Sequence, residues 1–372
     1  MTIRKPQSEI SPLSGWDEFP IHQTPQPLRV FYTADPRAYE RYWFAIEDPD
    51  GRFVLMMGMG FYPNQGTADA YAAFNADSVL TTVRAHRLLG EDRHDLQVGP
   101  IGFDVVAPFE QWHLTVGPNE FGLEVDIDVY DTKRSAFSER IAPPKHGRIS
   151  FNSSGYENFT RIEGTISLGG KTYTLDRARH IGSRDHHWGY RDGVGGYDRL
   201  VIPERSTQFG QWVEFDEFGI WGDHVLYQKG SAAPQRQPVV HTTRRLSFDP
   251  ETHHFTGGVV RNLLADGEVK EVSYELIDDK VIYLRTGLYS GPGPEYLGDP
   301  ETNLHHGEYA GELVTGASYD LSDPGTRVRI AGFEDQLVRA TCDGETAVGL
   351  IECRNPVLWE WCEAGRPGYA FL

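Results

Sequence analysis

The sequence predicts an all-β protein built from two tandem antiparallel β-barrels that pack together, with few short helices. Its 40 Gly and 23 Pro residues and its 12% share of aromatic residues are typical of short strands joined by tight turns. Segments of strand length alternate apolar and polar residues and follow one another at hairpin intervals. Strands do not alternate with helix-length segments, so a parallel sheet is not expected.

The first barrel is predicted from a series of strands that follows an extended, proline-rich arm at residues 1–27. The residues Asp48-Pro49-Asp50-Gly51 are a strong turn signal and join two of these strands into a hairpin. The pair Gly169-Gly170 marks a further hairpin near the end of the series. The predicted strands cover residues 41–47, 52–60, 78–87, 101–107, 111–116, 123–130, 148–159, 161–168 and 173–175.

A second series of strands after residue 192 predicts the second barrel. Its strands cover residues 198–203, 211–215, 222–228, 239–248, 255–263, 269–277, 280–289, 308–319 and 327–331. Weak helical patterns occur at residues 36–42, 333–340 and 356–363. We therefore assign residues 21–180 to an N-terminal barrel and 181–372 to a C-terminal barrel, with residues 184–192 at the junction. A barrel of about eight strands has room for at most one small ligand.

Composition and charge limit the classes of partner and the location. Thirty-five Lys and Arg against 54 Asp and Glu give a net charge of -19, which repels phosphate backbones and anionic lipids. We therefore expect no nucleic-acid partner. Because no long apolar run occurs, we expect no stable membrane insertion. The start of the chain lacks the apolar core of a secretory signal, and three cysteines are too few for a disulfide framework, so a cytoplasmic location is expected. Whether the chain forms a homodimer stays open.

The densest group of reactive side chains is the run at residues 184–192, which reads Arg-Asp-His-His-Trp-Gly-Tyr-Arg-Asp. Carboxylates, imidazoles and an indole bring acid, base and an aromatic surface together. On a regular strand, Asp185 and His187 point to one face, and His186, Trp188 and Tyr190 point to the other. Asp185 and Trp188 then share a wall only if a turn or bulge intervenes. A structural Arg–Asp pair is the competing interpretation.

Several short motifs give the chain a family resemblance. They are Arg-Tyr-Trp-Phe at 41–44, Gly-Met-Gly-Phe-Tyr-Pro-Asn at 58–64, Asp-Leu-Gln-Val-Gly-Pro at 95–100 and, most specifically, Arg-Asp-His-His-Trp-Gly at 184–189. With them the chain resembles the tandem lipocalin-like, calycin-type proteins related to the carotenoid 1,2-hydratases, a hydroxyneurosporene synthase-like family. The resemblance implies two lipocalin-like barrels around a hydrophobic substrate pocket, and a reaction that needs no cofactor.

The same resemblance implies roles for residues of the run. Asp185 is the candidate acid that protonates an alkene, and Trp188 is the candidate aromatic wall that stabilises a carbocation. His187 stands where related proteins often carry a small residue, and an imidazole there can add a base. We therefore predict Asp185, His187 and Trp188 as catalytic residues, with substrate-binding residues at Tyr62, Arg184, His186, Tyr190, Arg191 and Tyr227.

These observations favour a cofactor-independent lyase or isomerase with hydratase or dehydratase chemistry, acting on a hydrophobic isoprenoid or aromatic small molecule. Two alternatives stay open. In the first, the chain is a non-catalytic carrier of an apolar metabolite, and the polar run only fastens the barrels together. In the second, His305, His306 and Glu308 bind a metal ion, although their spacing lacks the helical pattern of common metalloenzymes and no metal is predicted.

Overall fold

Two antiparallel sheets account for nearly all regular structure in the computed structural model. The structure describes residues 15–18, 20–132, 136–141, 149, 151–191, 193–195, 208–222, 225–228, 235–252, 254–284, 304–309, 311–330, 333–354 and 370–371. A short 3-10 turn, Gly15–Glu18, precedes the first strand. None of the helices in these ranges is long and apolar enough to span a bilayer.

The described residues of the first half of the chain form eleven strands. They are β1 (Ala38–Glu47), β2 (Phe53–Tyr62), β3 (Thr67–Ala76), β4 (Val79–Leu88), β5 (Gln97–Val98), β6 (Ile101–Ala107), β7 (Gln111–Val116), β8 (Leu123–Asp131), β9 (Ala136–Ile141), β10 (Phe151–Leu168) and β11 (Lys171–Arg191). The turn between β1 and β2 forms as predicted: Gly51 adopts a φ of 73°, and its amide donates to Asp48 O at 2.9 Å.

Within the ranges given above, the second half forms ten strands and one helix. The strands are β12 (Gln208–Glu214), β13 (Phe218–Trp221), β14 (Val225–Gln228), β15 (Gln235–Phe248), β16 (Phe255–Leu264), β17 (Val269–Tyr283), β18 (Leu313–Asp320), β19 (Phe333–Cys342), β20 (Glu345–Arg354) and β21 (Ala370–Phe371). Helix α1 spans Pro324–Ile330.

The strand orders confirm the tandem lipocalin-like barrels. The first sheet runs β18-β4-β3-β2-β1-β11-β10-β8-β7-β6-β5, with β9 beside β10, and its concave face encloses one apolar core. The second runs β14-β13-β12-β20-β19-β17-β16-β15-β21, and a further β14–β15 pairing closes eight of these strands into a ring. A second core fills this ring.

Strand β11 lies in the first sheet over its whole length, between β1 and β10. The predicted boundary at residue 181 therefore falls inside this strand. Strand β18 comes from the second half of the chain but pairs with β4 of the first sheet. The run that begins at Arg184 is thus part of a central strand, and what meets the second barrel is one face of that strand.

The barrels meet through an aromatic cluster. Trp43 on β1 lies 5.7 Å from the Trp212 ring and 6.1 Å from the Trp221 ring, both on the second barrel. Arg161 Nη1 donates to Glu214 Oε2 at 2.7 Å beside this cluster. Together these contacts hold the convex face of the first sheet against β12 and β13.

Two weak helical predictions are wrong. Residues 36–42 run into β1, and residues 333–340 form most of β19. Each of these segments is hydrogen-bonded to a neighbouring strand on both sides, and this strand pairing overrides a weak local preference for helix.

The strand predicted at 327–331 is also wrong, since residues 327–330 fall at the end of α1 and residue 331 lies outside the described residues. Asp323 caps that helix by accepting from the Thr326 amide at 2.8 Å, and Pro324 fits its first turn. The predicted strand at 198–203 and helix at 356–363 lie outside the described residues.

The aromatic cluster makes the inter-barrel contact measurable. Trp221 is 1% exposed and touches Trp43 and Phe159 from the first sheet. We expect Trp221→Ala to lower the free energy of unfolding by about 3–5 kcal/mol, because the cavity left cannot collapse fully. Urea unfolding followed by circular dichroism measures this change. The exposed Val240→Ala is the control, expected to stay within about 0.5 kcal/mol of the parent protein; equal losses for both variants would contradict the packing described.

Candidate functional site

Alternate side chains of β11 point to opposite faces of the first sheet, as the alternation predicted. Arg184 points into the first barrel, where its guanidinium lies 5.5 Å from the Trp112 ring. Asp185 is paired in register with Trp43, which packs against the second barrel. The run therefore forms two separate sites, one on each face. Asp185 and Trp188 cannot line one wall, since no bulge interrupts the pairing of β11 with β1.

On the convex face, His187 lies between two carboxylates. Its Nδ1 is 3.2 Å from Asp185 Oδ2, and its Nε2 is 3.2 Å from Glu157 Oε1. The Glu157 side chain is fully buried and also accepts from Ser138 Oγ at 2.9 Å, whereas Asp185 is 25% exposed. Gly155 makes room for the imidazole, since a Cβ there would lie 2.2 Å from the ring. Asp185 is thus the most exposed member of the group.

The electrostatics of this group favour a protonated imidazole. Burial disfavours a charge on His187, but Asp185 and Glu157 outweigh that cost and raise the pKa of His187 to about 9. At neutral pH an imidazolium therefore stands between the two acids.

Large aromatic and cationic side chains surround the His187 group. Arg41, paired in register with His187, is buried and has its guanidinium 5.5 Å from the Tyr71 ring. Trp43, one step along the same face, leads to the tryptophan cluster of the second barrel. The group therefore lies beside the apolar contact between the barrels.

On the concave face, a different set of polar groups lines the mouth of the first barrel. His186 Nε2 is 3.0 Å from Glu40 Oε1, and its Nδ1 is 3.2 Å from the Tyr156 hydroxyl. The imidazole stacks on Tyr42 with ring centroids 4.1 Å apart, and Trp188 lies 5.2 Å away. Burial would raise the pKa of Glu40, but the hydrogen bond and charge of His186 lower it. Burial raises the pKa of Tyr156 despite the nearby Arg184.

Arg184 lies deeper in the same barrel and is fully buried. Its guanidinium forms a bidentate ion pair with the Asp131 carboxylate. Nε donates to Oδ1 at 2.6 Å, and Nη2 donates to Oδ2. Such a pair leaves no net charge in the apolar interior. This is an Arg–Asp pair, as the competing interpretation of the run supposed, but the acid is Asp131 and not Asp185.

Two more predicted residues, Tyr62 and Arg191, lie beside the 304–309 segment. Arg191 Nη2 is 3.1 Å from His306 Nδ1, whose ring stacks over Tyr62 at 6.1 Å. The Gly307 amide donates to Asp69 Oδ2 at 3.0 Å, and its carbonyl accepts from Thr67 at 2.6 Å. The histidine pair therefore belongs to a clamp that ties this segment to the first sheet.

The remaining predicted substrate-binding positions are Tyr190 and Tyr227. The Arg37 guanidinium carbon lies 5.3 Å from the centroid of the Tyr190 ring. Tyr227 lies on β14, and its side chain is outside the described part of the chain. Glu308 accepts from the backbone amide of His305 at 2.8 Å. Within the described ranges, no three His, Cys, Asp or Glu side chains converge as a metal site would require.

Sequence reasoning missed the partners of the run, namely Glu40, Asp131, Tyr156 and Glu157. Glu40, Tyr156 and Glu157 lie on the strands that pair with β11, and Asp131 lies on β8, one strand further away. Between 30 and 146 residues of chain separate them from their partners in the run, which no local pattern reveals. One signal was available. Tyr156 and Glu157 stand in a long predicted strand next to the polar run, and polar side chains in a central strand need partners.

By its fold, with polar groups on both faces of the central strand β11, the protein is a tandem lipocalin-like β-protein. The chain belongs to a family of unknown function, DUF8625, whose model matches residues 13–275. A comparison with curated proteins finds no match.

Three solved structures illustrate the likeness in fold. An AttH protein from Nitrosomonas europaea is 14% identical, covering 86% of this chain and 93% of its own, with a TM-score of 0.50. CghA is 11% identical, covering 86% and 88%, with a TM-score of 0.45. Kievitone hydratase from Nectria haematococca is 12% identical, covering 89% and 94%, with a TM-score of 0.39. At these identities the likeness concerns the fold alone.

The charge on His187 makes stability depend on pH. The pKa of His187 is raised from 6.5 to about 9. The contribution of its charge to the free energy of unfolding is therefore complete below about pH 6.5 and is lost as the pH rises through 9. We expect the stability difference between the parent protein and His187→Gln to shrink by on the order of 3 kcal/mol between pH 6 and pH 10. Urea unfolding at several pH values measures it. A difference that stays constant over this range would rule out the charged imidazole.

Proposed function

We propose that the protein is a cofactor-independent lyase of the hydratase or dehydratase type, and that Asp185 exchanges the proton with a hydrophobic substrate. One observation carries this proposal. Asp185 is partly exposed beside the inter-barrel contact, and a histidine anchored by the buried Glu157 holds it in place. A structural ion pair has no need of an exposed member, whereas a proton-transfer group must be reachable.

The contact with His187 Nδ1 positions the Asp185 carboxyl group for proton exchange. We assign Asp185 as the base in the dehydration direction. Asp185 removes a proton from carbon, the adjacent C–O bond breaks to leave an alkene, and the departing hydroxide takes the proton back as water. Hydration is the reverse. In that reverse direction Asp185 returns the proton to carbon, which is the acid role that the resemblance to carotenoid hydratases implies.

Hydrophobic surroundings support an apolar substrate on this face. Trp43 is paired in register with Asp185 and packs against Trp212 and Trp221, so the surroundings of Asp185 on this face are apolar and aromatic. In this proposal Trp43, and not Trp188, forms the aromatic wall of the substrate site. His187 is a positioning residue, because Asp185 and Glu157 occupy both of its ring nitrogens.

The test is an untargeted search for hydration or dehydration. Purified protein is incubated with a small-molecule extract of its source cells in oxygen-18 water, and mass spectrometry finds compounds that gain or lose water. We expect the parent protein to produce such compounds and Asp185→Asn to produce them at least ~100-fold more slowly, since general acid–base catalysis contributes about that much. Circular dichroism checks that the variant is folded.

Two outcomes would contradict the proposal. One is turnover that Asp185→Asn leaves unchanged. The other is retention of an apolar molecule by the parent protein without any conversion, which would indicate the carrier alternative. A carrier also predicts that Asp185→Asn lowers the melting temperature but spares ligand affinity.

A further inference from the structure

We propose that Glu47 is a pH-sensitive switch in the contact between the two barrels. While its carboxyl group carries a proton, the barrels stay packed together. When the group ionises, a buried negative charge appears in the contact and loosens it. The switch concerns how the barrels pack, and it does not depend on the proposed lyase function.

Glu47 lies at the end of β1, in a row of side chains that crosses the convex face of the first sheet. Strand register places Glu47 opposite Ile181 on β11, and Ile181 opposite Arg161 on β10. Trp43 and Ala45 precede Glu47 on the same face and belong to the apolar cluster between the barrels. Glu47 is 2% exposed, so the contact itself encloses its carboxyl group.

Two polar contacts between the barrels flank Glu47. On one side, Arg161 Nη1 donates to Glu214 Oε2 of β12 at 2.7 Å. On the other side, Asn75 Nδ2 donates to the Val281 carbonyl oxygen of β17 at 2.8 Å. Asn75 lies two strands away from Glu47 in the same row of the first sheet. A charge on Glu47 therefore acts between two contacts that hold the barrels together.

The charged groups around Glu47 leave no separate cation for a second acid. Among the described residues, the charged side chains that act most strongly on Glu47 are Glu214 and Arg161, and these two already pair with each other. The hydrogen bond from Ser183 Oγ to Glu47 Oε1 is long, at 3.4 Å. A carboxylate at Glu47 is thus a second buried negative charge beside one guanidinium group, which is unfavourable.

The other elements around Glu47 present apolar side chains. Its register partner on β2 is Val54, and β20, which packs against β1, contributes Val348 and Leu350 to the same cluster. Burial raises the pKa of Glu47 to about 8, and Glu214 adds to the rise, while the serine hydroxyl and the guanidinium group oppose it. Glu47 is therefore neutral at pH 7 and ionises under mildly alkaline conditions.

The contact weakens as the pH rises. The folded protein holds the proton of Glu47 up to about pH 8, whereas an unfolded chain or an opened contact releases it near the ordinary pKa of 4.5. Opening therefore becomes easier between about pH 5 and pH 8, and the effect levels off above pH 8. Glu47→Gln keeps the shape of the side chain and removes this titration.

The first experiment measures urea unfolding of the parent protein and of Glu47→Gln at about pH 6 and about pH 9.5. The unfolding equilibrium constant of the parent, divided by that of Glu47→Gln, should rise about 100-fold between these pH values. Groups that titrate in both proteins, such as His187, cancel in this ratio. The matched control is Glu124→Gln, at an exposed position of β8, for which the ratio should stay within about twofold. A constant ratio for Glu47→Gln would overturn the proposal.

Hydrogen exchange followed by mass spectrometry locates the loosening. At about pH 9.5, amides of β12 and β13 should exchange at least about tenfold faster in the parent protein than in Glu47→Gln, because these strands lie at the contact. Amides of β6 and β7, which lie near the far edge of the first sheet, should exchange equally in both proteins. Equal exchange of β12 and β13 in the two proteins would overturn the switch even if Glu47 titrates.

Arg161→Met is a second variant that keeps Glu47 in place. Without the guanidinium group a carboxylate at Glu47 is harder to form, so the pH at which β12 and β13 loosen should move upward by about half a unit or more. A midpoint that is unchanged or moves downward would overturn the assignment of Glu47 as the titrating group. None of these measurements uses turnover, so a failed switch leaves the lyase proposal standing, and absence of turnover leaves the switch standing.

Discussion

The pairing of His187 with Asp185 and Glu157 is the interaction on which the convex site depends. Glu157 is fully buried, and a buried carboxylate without a cation or hydrogen bonds would cost several kcal/mol. His187 supplies that cation across the β10–β11 pairing, and Gly155 leaves the space for its ring. The same imidazolium contacts Asp185 through its other ring nitrogen and orients that carboxyl group. His187 therefore both stabilises the buried Glu157 and positions Asp185, the proposed proton-transfer residue.

The two-residue repeat of a strand explains why one short run serves two faces. Odd-numbered residues from Asp185 to Arg191 face the second barrel and the 304–309 clamp, whereas Arg184, His186 and Trp188 face the first barrel. Each face then acquires its own acid, Glu157 on one side and Glu40 on the other. Adjacent histidines of the run thus belong to chemically separate environments.

The sequence was sufficient to predict the two barrels, the turn at Asp48 to Gly51 and the alternation within the run, because each rests on local periodicity or turn chemistry. It was insufficient for the partners of the run, because His186 and Glu40 are 146 residues apart and meet only through strand register. Weak helical patterns at 36–42 and 333–340 were overridden by pairing on both sides. The His305-His306 pair suggested a metal, and only the long-range contacts of Gly307 reveal the clamp.

The protonation state of His187 can be observed directly by nitrogen-15 NMR of the imidazole side chains. At about pH 8, an unperturbed histidine is neutral, whereas the account predicts that both ring nitrogens of His187 carry protons. The imidazolium signal should give way to that of a neutral ring at this pH in Glu157→Gln, which removes one of the two flanking charges. A neutral His187 in the parent protein at about pH 8 would contradict the account.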